Sequence, residues 1–218
     1  MKGGKLVIWG ASGHARVVAD IVRLQGTYDL LGFLDDINPG RHGSEFDGLP
    51  ILGGSEKLDE LKELGVSHLI IGFGNCAARL KATALVREQG FSLATAIHPK
   101  AIIASDVLVA QGTVIAAGAV VNPGAKIGEN VIINTGATVD HECSIEEGVH
   151  LCPGVHLAGS VTIGRASWIG IGTIVSDHLR VGANTVIGAG AVVVHDIPDN
   201  VVAYGVPARV VKRINGND

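Results

Sequence analysis

A six-residue repeat runs through the stretch KIGENVIINTGATVDHECSIEEGVHLCPGVHL, which occupies residues 126–157. Every sixth residue from Ile97 to Val193 is aliphatic, which gives seventeen positions in one phase, and the residue four places after each is small or apolar. A fixed short period is typical of stacked repeats, and a period of six predicts a parallel β-helix. The strands of an ordinary sandwich vary in length and break phase at their turns, so the repeat argues against that fold.

Each hexad should form one short strand and one corner, with the aliphatic residue pointing inward. Three hexads then close a triangular coil of eighteen residues, and five to six coils stack at a strand spacing of about 4.8 Å. Glycine follows the aliphatic residue in several hexads, where we expect the chain to bend: Gly128, Gly164, Gly170, Gly182 and Gly188.

Composition narrows the class of protein. The 218 residues carry a net charge of −4, and 47% are hydrophobic but only 4% aromatic, so no basic nucleic-acid-binding surface is indicated and the core should be aliphatic. The three cysteines lack CxxC spacing, which suits a reducing compartment. The apolar run Leu6–Trp9 is too short for a signal peptide, and no run approaches the ~18 apolar residues of a membrane span. We therefore expect a cytoplasmic protein without a membrane span.

Residues 1–96 alternate strand and helix patterns, which predicts a small parallel α/β sheet domain before the β-helix domain at 97–218 with its C-terminal tail. The predicted strands cover 5–9, 28–34, 66–73 and 92–96, with a short extended piece at 50–52. The predicted helices cover 15–24, 56–64 and 76–89, with Ser55 and Asn75 as N-caps of the last two. Residues 37–49 are polar and glycine-containing, which indicates a loop.

Three segments follow the carboxyl ends of predicted strands, where ligands bind in such sheets: Gly10-Ala-Ser-Gly-His14, Asp35-Asp36 and Gly72-Phe-Gly-Asn75. The glycines allow a tight turn into a helix whose N-terminal amides favour a phosphate, and a carboxylate can hold a ribose or a base edge. The GxGxxG fingerprint is absent, so a βα turn without ligand remains open. Dinucleotide binding for hydride transfer is disfavoured because fewer than 100 residues precede the repeat. One mononucleotide carried by a sugar fits better.

One corner of the repeat carries Asp140-His141-Glu142. Residues eighteen apart share a column, so Gly159 should lie beneath His141 and leave open space beside the imidazole for a substrate. Ser160 and His178 should lie beneath Glu142, whose carboxylate favours the protonated imidazole and makes it a better proton acceptor. The alternative is a solvated surface His–Glu pair.

Five histidines in the repeat make zinc binding an alternative function. They are His141, His150, His156, His178 and His195. Only His141 and His195 share a column, and they lie three coils apart, roughly 14 Å, which is too far for one ion. No metal is expected, and the other four histidines should be surface or interface residues.

The hexads together with Gly205-Val-Pro-Ala208 resemble the left-handed β-helix acyltransferases. With the Gly10–His14, Asp35-Asp36, Ile71–Asn75 and Ile97-His-Pro99 motifs and with Asn134–Cys143, the whole chain is similar to bacterial nucleotide-sugar N-acetyltransferases. These act on UDP-linked 4-amino sugars and on GDP-perosamine, and relatives O-acetylate sialic acid. The resemblance implies a left-handed coil, acetyl-CoA as donor, a homotrimer and active sites between subunits.

The resemblance also implies roles for individual residues. His141 matches the general base and Glu142 the acid that tunes it. The nucleotide-sugar contacts implied are Ser12, Gly13, His14, Asp35, Asp36 and Gly74. His150, Ile171 and Ala189 match the acetyl-CoA groove. Gly159 is a further candidate for cofactor binding, because backbone amides near its corner are expected to hold the oxyanion of the reaction. The family often carries a basic residue where this chain has Asp36, so uracil and guanine both remain open as the base.

Three functions follow as hypotheses. The first is N-acetylation of a nucleotide-linked 4-amino-4,6-dideoxy sugar, in which His141 takes a proton from the amine before it attacks the thioester. The second is O-acetylation of a sugar hydroxyl of the sialic-acid type. The third is a non-catalytic, trimeric nucleotide-sugar-binding scaffold.

Overall fold

The computed structural model describes residues 3–214, so the ends of the two predicted domains, residues 1–2 and 215–218, lie outside it. The chain divides into two compact units, the first ending at Pro99 and the second beginning at Lys100.

The first unit contains a mainly parallel sheet with the strand order β3-β4-β2-β1-β5-β6, in which only β3 and β4 pair antiparallel. Its elements are β1 (Lys5–Trp9), α1 (Gly13–Gln25), β2 (Asp29–Leu34), β3 (Glu45–Phe46), β4 (Leu49–Gly53), α2 (Leu58–Glu63), β5 (Val66–Ile71), α3 (Cys76–Glu88), β6 (Ser92–Leu93) and β7 (Ala96–Ile97). The predicted parallel α/β sheet is confirmed. In its core, apolar side chains of β1 and β5 pack against apolar side chains of α2 and α3.

Local details differ from the sequence prediction. The 37–49 segment is not only a loop, because it holds a 3-10 turn at Pro39–Arg41 and the short strand β3. Ser55 does not cap α2; it begins a 3-10 turn, and its own amide donates to the Asp36 carboxylate at 2.6 Å. Asn75 does cap α3, since its side chain accepts from the Ala78 amide.

The second unit is built from two-residue strands. They are β8 (Ile102–Ile103), β9 (Leu108–Val109), β10 (Val114–Ile115), β11 (Val120–Val121), β12 (Lys126–Ile127), β13 (Ile132–Ile133), β14 (Thr138–Val139), β15 (Ser144–Ile145), β16 (His150–Leu151), β17 (His156–Leu157), β18 (Thr162–Ile163), β19 (Trp168–Ile169), β20 (Ile174–Val175), β21 (Arg180–Val181), β22 (Val186–Ile187) and β23 (Val192–Val193), followed by β24 (Val201–Gly205) and β25 (Ala208–Arg213).

These strands stack into three parallel faces of a left-handed β-helix, as predicted. We call the face of β8, β11, β14, β17, β20 and β23 face 1, that of β9, β12, β15, β18 and β21 face 2, and that of β10, β13, β16, β19, β22 and β24 face 3. Successive strands on a face are eighteen residues apart, for example Ile115 beside Ile133 and Ile133 beside Leu151. The second residue of each strand points inward and is buried from Ile115 to Val193.

The repeat ends with a shorter coil. Ile187 pairs with Ala203 and Val181 bridges Ile197, so the last coil has sixteen residues rather than eighteen. The hexad phase assigned from the sequence therefore holds as far as β23 and is broken after it.

The glycines that follow the aliphatic residue have a different role from the one predicted. A Cβ at Gly164 would lie 2.5 Å from the Ala183 backbone nitrogen, and one at Gly128 would lie 2.8 Å from the Glu147 nitrogen. These glycines are needed because the next coil approaches closely, whereas the bend itself uses a different position of each hexad. There, every sixth residue from 112 to 190 has a positive φ.

Candidate active site

His141 sits on the corner between β14 and β15, and 57% of its side chain is exposed. Its Nδ1 lies 3.2 Å from Glu142 Oε2. Because a carboxylate only accepts hydrogen bonds, Nδ1 carries the proton in this pair and Nε2 keeps its lone pair. The corner therefore presents an exposed imidazole whose Nε2 is able to accept a proton.

The prediction that Gly159 leaves open space beside His141 is wrong. The imidazole itself fills that space, since a Cβ at Gly159 would lie 2.5 Å from both Cε1 and Nε2 of the ring. The glycine is therefore needed so that the ring can lie flat over the next coil. Any substrate must approach the imidazole from its solvent side.

The backbone of the corner is fixed from the preceding coil. Asp140 Oδ1 accepts from the His141 amide at 2.7 Å and from Asn122 Nδ2 at 2.9 Å. These two hydrogen bonds hold the pKa of the Asp140 carboxyl below its ordinary value, the amide bond being the larger cause. Asp140 is thus a permanent anion at neutral pH that anchors the peptide unit of His141.

The amide of Gly159, on the coil next to His141, differs in its hydrogen bonding from the groups around it. The Ser160 amide donates to the His141 carbonyl at 2.8 Å, and the Gly159 carbonyl accepts from the His178 amide at 3.0 Å. Among residues 3–214 the Gly159 amide makes no such bond. The Gly159 amide is therefore one donor that this corner can offer to an incoming oxygen atom.

A separate cavity of about 680 Å³ opens at the carboxyl edge of the sheet in the first unit. It brings together Ser12, Asp35 and Asp36 of the predicted nucleotide-sugar contacts, whereas Gly13, His14 and Gly74 do not line it. Phe73 and Asn75 of the predicted Gly72–Asn75 segment also line it, whereas sequence reasoning missed Trp9, Ile37, Lys81 and Leu85 on the wall. Apolar walls with a few polar groups are typical of a pocket that takes a planar ring.

The two aspartates of the cavity are not equivalent. Asp35 is buried, and its carboxylate accepts from the Ile37 and Asn38 amides and from Arg41 Nη1 at 3.2 Å. It is therefore occupied in holding the 37–41 turn. Asp36 accepts one bond on each oxygen, from Trp9 Nε1 at 2.7 Å and from the Ser55 amide, and so keeps lone pairs for a ligand.

His14 and Arg79 do not line this cavity, but Arg79 is close enough to His14 to affect its charge. Burial, aided by the positive charge of Arg79, lowers the pKa of His14 to about 4, so the imidazole is neutral at pH 7. Arg79 is 0% exposed and donates to the Gly74 carbonyl at 2.6 Å, which fixes the loop between β5 and α3. An arginine in the middle of a helix gives no sequence signal of burial, and it was not predicted.

Of the residues assigned to an acetyl-CoA groove, His150 is not a surface residue. It is buried on face 3, its ring centroid is 4.4 Å from that of Trp168, and its Nε2 lies 3.2 Å from Asn134 Nδ2. The prediction of surface or interface histidines fails there because Trp168 packs on the ring. Ile171 and Ala189 are exposed and stacked, the Gly190 amide donating to the Ile171 carbonyl.

The corners of His141 and of Ile171 flank face 1 on its two sides, so one chain does not bring them together. The outer side of face 1 carries the exposed apolar residues Ile102 (67%) and Ile174 (47%) as well as the hydrogen-bonded polar pair Thr138 and His156. The outer side of face 2 is mainly polar, with Lys126, Ser144, Thr162 and Arg180, but it also carries Leu108, which is 70% exposed.

Within residues 3–214, no three His, Cys, Asp or Glu side chains are grouped so that they could share a metal ion. No helix within these residues has the length and apolar character that crossing a membrane requires.

Comparison with known proteins connects both units to one family. Residues 5–85 match the family model of the PglD N-terminal domain. PerB from Caulobacter crescentus, solved in complex with CoA and GDP-perosamine, is 39% identical, and the match covers 95% of this chain and 97% of that one with a TM-score of 0.91. The acetyltransferase domain of PglB from Neisseria gonorrhoeae, in complex with acetyl coenzyme A, is 37% identical over 97% and 100% of the two chains, with a TM-score of 0.89.

A curated relative matches only part of the repeat. Galactoside O-acetyltransferase from Lactococcus lactis is 55% identical over 51 residues, which is 23% of this chain and 25% of that protein, so the chain spans about a quarter of that relative's length. The near-complete matches decide the family instead, because their identity extends over both units. The chain therefore belongs to the nucleotide-sugar N-acetyltransferases of the left-handed β-helix, hexapeptide-repeat acyltransferase family.

Proposed function

We propose that this protein is an acetyl-CoA-dependent N-acetyltransferase that acylates the amino group of a nucleotide-linked 4-amino-4,6-dideoxy sugar. The observation that carries the proposal is the His141–Glu142 pair, an exposed imidazole whose Nδ1 is paired with a carboxylate and whose ring packs against Gly159. A base and an oxyanion donor side by side are what acyl transfer to an amine requires. The full-length likeness to PerB supports this choice of acceptor.

His141 acts as the general base. A sugar amine is protonated at neutral pH and has no lone pair with which to attack. Nε2 accepts one proton from the ammonium group, directly or through water, while Glu142 holds the proton on Nδ1 and stabilises the imidazolium that forms. The free amine then attacks the thioester carbonyl. The nitrogen of the tetrahedral adduct gives up a proton, and the departing CoA thiolate takes it.

The Gly159 amide supports the negative charge that develops on the carbonyl oxygen. The acetyl group passes directly from thioester to amine, because the nearest thiol is unsuited to carry it. Cys143 is buried, burial raises its thiol pKa, and its Sγ donates to the Ala158 carbonyl at 3.2 Å.

The first unit binds the nucleotide of the acceptor. The base lies against Trp9 and Phe73, Asp36 accepts from the ribose or the base, and the first amides of α1 at Ser12 and Gly13 bind the diphosphate. Lys81 on the cavity wall adds positive charge for the same anion. His14 and Gly74 act behind this wall, where Arg79 fixes the loop.

The active enzyme is a homotrimer in which face 1 packs on a neighbouring subunit. The apolar outer residues Ile102 and Ile174 support this, and the arrangement joins the His141 corner of one subunit to the Ile171–Ala189 corner of the next. The exposed, stacked Ile171 and Ala189 then form the wall of the acetyl-CoA groove. The buried His150 shapes the groove from behind through Asn134.

We place the enzyme in the cytoplasm, where its buried cysteines remain thiols. The test of function is a thiol-release assay with acetyl-CoA and a panel of UDP- and GDP-linked amino sugars and their hydroxyl analogues, with mass spectrometry and NMR of the products. Amide formation with an amino sugar is expected. Ester formation with hydroxyl acceptors alone, or nucleotide-sugar binding without any turnover, would refute the proposal.

A further inference from the structure

The corners of the β-helix reveal where side chains are kept at a conformational cost. Every sixth residue from 112 to 190 has a positive φ, and eight of these fourteen residues are glycine. Two more are asparagine, which tolerates this conformation. The other four are Ala166, Glu142, Ser160 and His178, and the last three form a single column directly beside His141.

A side chain in a left-handed position is strained, and such strain is commonly retained at functional sites. Ser160 has φ 59° and its amide donates to the His141 carbonyl at 2.8 Å. The coil register therefore holds the Cα of Ser160 at a fixed place under the His141–Glu142 peptide. A glycine there would relieve the strain, so the hydroxyl is the group to be explained.

The hydroxyl reaches the tuning carboxylate. Ser160 Oγ donates to Glu142 Oε2 at 3.4 Å, and the same oxygen accepts from His141 Nδ1 at 3.2 Å. The first distance is long for an O–H···O bond, as is common in catalytic groups before substrate binds. The Glu142 side chain is otherwise 70% exposed, so Ser160 and His141 are what hold it in one orientation.

We propose that Ser160 is a positioning residue for the transfer reaction: its hydroxyl orients the Glu142 carboxylate so that Glu142 keeps the proton of His141 on Nδ1. Ser160 acts through Glu142 and does not contact either substrate. Without the hydroxyl, the carboxylate turns toward solvent, and the imidazole spends part of its time with the proton on Nε2, where it is not a base. The proposal rests on the acetyltransferase function proposed above.

The first experiment compares Ser160→Gly with Ala166→Gly, which relaxes the same left-handed position (φ 56°) in another column. Ser160→Gly is expected to keep or raise Tm and to leave both KM values unchanged, while kcat falls about three- to tenfold, the effect of one hydrogen bond. Ala166→Gly should keep the wild-type kcat. Ser160→Asn, which tolerates a positive φ and supplies an N–H donor, should restore most of the rate.

A double-mutant cycle then separates positioning from a merely structural role. In a Glu142→Ala background, Ser160→Gly should change kcat by less than about 1.5-fold, because the group it positions is gone. Equal losses in both backgrounds, or no loss in either, would overturn the proposal.

A readout that does not need turnover keeps this test apart from that of the function. The ¹⁵N shifts of the His141 ring, identified by their loss in His141→Asn, report which nitrogen carries the proton. Ser160→Gly should raise the Nε2-protonated fraction in the same direction as Glu142→Ala. Shifts that stay at wild-type values would refute the positioning role even if the protein proved to have no acetyltransferase activity.

Discussion

Adding a single methyl group at residue 159 should remove activity without unfolding the protein. A Cβ at Gly159 would lie 2.5 Å from two atoms of the His141 ring, and a normal contact needs about 3.5 Å, so the imidazole must move by about 1 Å. The ring is exposed and belongs to a flexible side chain, so this movement costs little stability. A displacement of about 1 Å in a catalytic group is enough to lower kcat by roughly 10²-fold.

Gly164→Ala is the matched control, because its Cβ would also approach an atom to 2.5 Å, but that atom is the Ala183 backbone nitrogen. The backbone of a stacked coil cannot yield, so this variant should lose about 1–3 kcal/mol of stability and several degrees of Tm. Its folded fraction should keep the wild-type kcat. The assays are steady-state kinetics with saturating substrates and thermal unfolding. A Gly159→Ala enzyme with unchanged kcat, or one as destabilised as Gly164→Ala, would refute the reasoning.

Three further changes have defined outcomes. The pKa of His14 is about 4 in the folded protein and 6.5 ordinarily, so the unfolded chain binds the proton more readily. The free energy of unfolding should therefore fall by roughly 3 kcal/mol as the pH is lowered from 6.5 to 4. His14→Gln should flatten that part of the plot of urea midpoint against pH, and an unaltered plot would exclude His14 as the cause. Arg79→Met should weaken nucleotide binding, measured by calorimetry, about tenfold, since the Gly74 carbonyl loses the hydrogen bond from the guanidinium; wild-type affinity would show that the loop does not depend on this bond. Ile174→Arg should yield a monomer in sedimentation that still binds nucleotide but has lost its transferase activity; an intact trimer would argue against face 1 as the interface.

The β-helix could be predicted from the sequence because its determinants are local and periodic. An aliphatic residue every sixth position leaves one way to bury all of them, and the eighteen-residue register follows from the triangle. The sequence marks the end of the repeat, because Asp199 stands at the position after Val193 where the next aliphatic residue would fall, but it does not show that Ile197 and Ala203 pair sixteen residues back to form a shortened coil.

Long-range contacts explain the errors. Ser55 has the residue type of an N-cap, yet its amide is bound by Asp36, nineteen residues earlier. His150 occupies an outward position of its strand, where the repeat predicts exposure, yet it is buried and packs on Trp168 of the next coil. The ring of His141 was predicted to border a gap, but the conformation of one side chain determined that it fills the gap itself.

The most direct test of the central claim, that His141 removes a proton from the acceptor amine, is the pH dependence of kcat for His141→Asn beside wild type, with both substrates saturating. The account predicts a loss of 10²-fold or more at pH 7, and a variant rate that rises with pH as the amine deprotonates without help. A loss below about threefold at pH 7, or a variant that follows the wild-type profile, would contradict it.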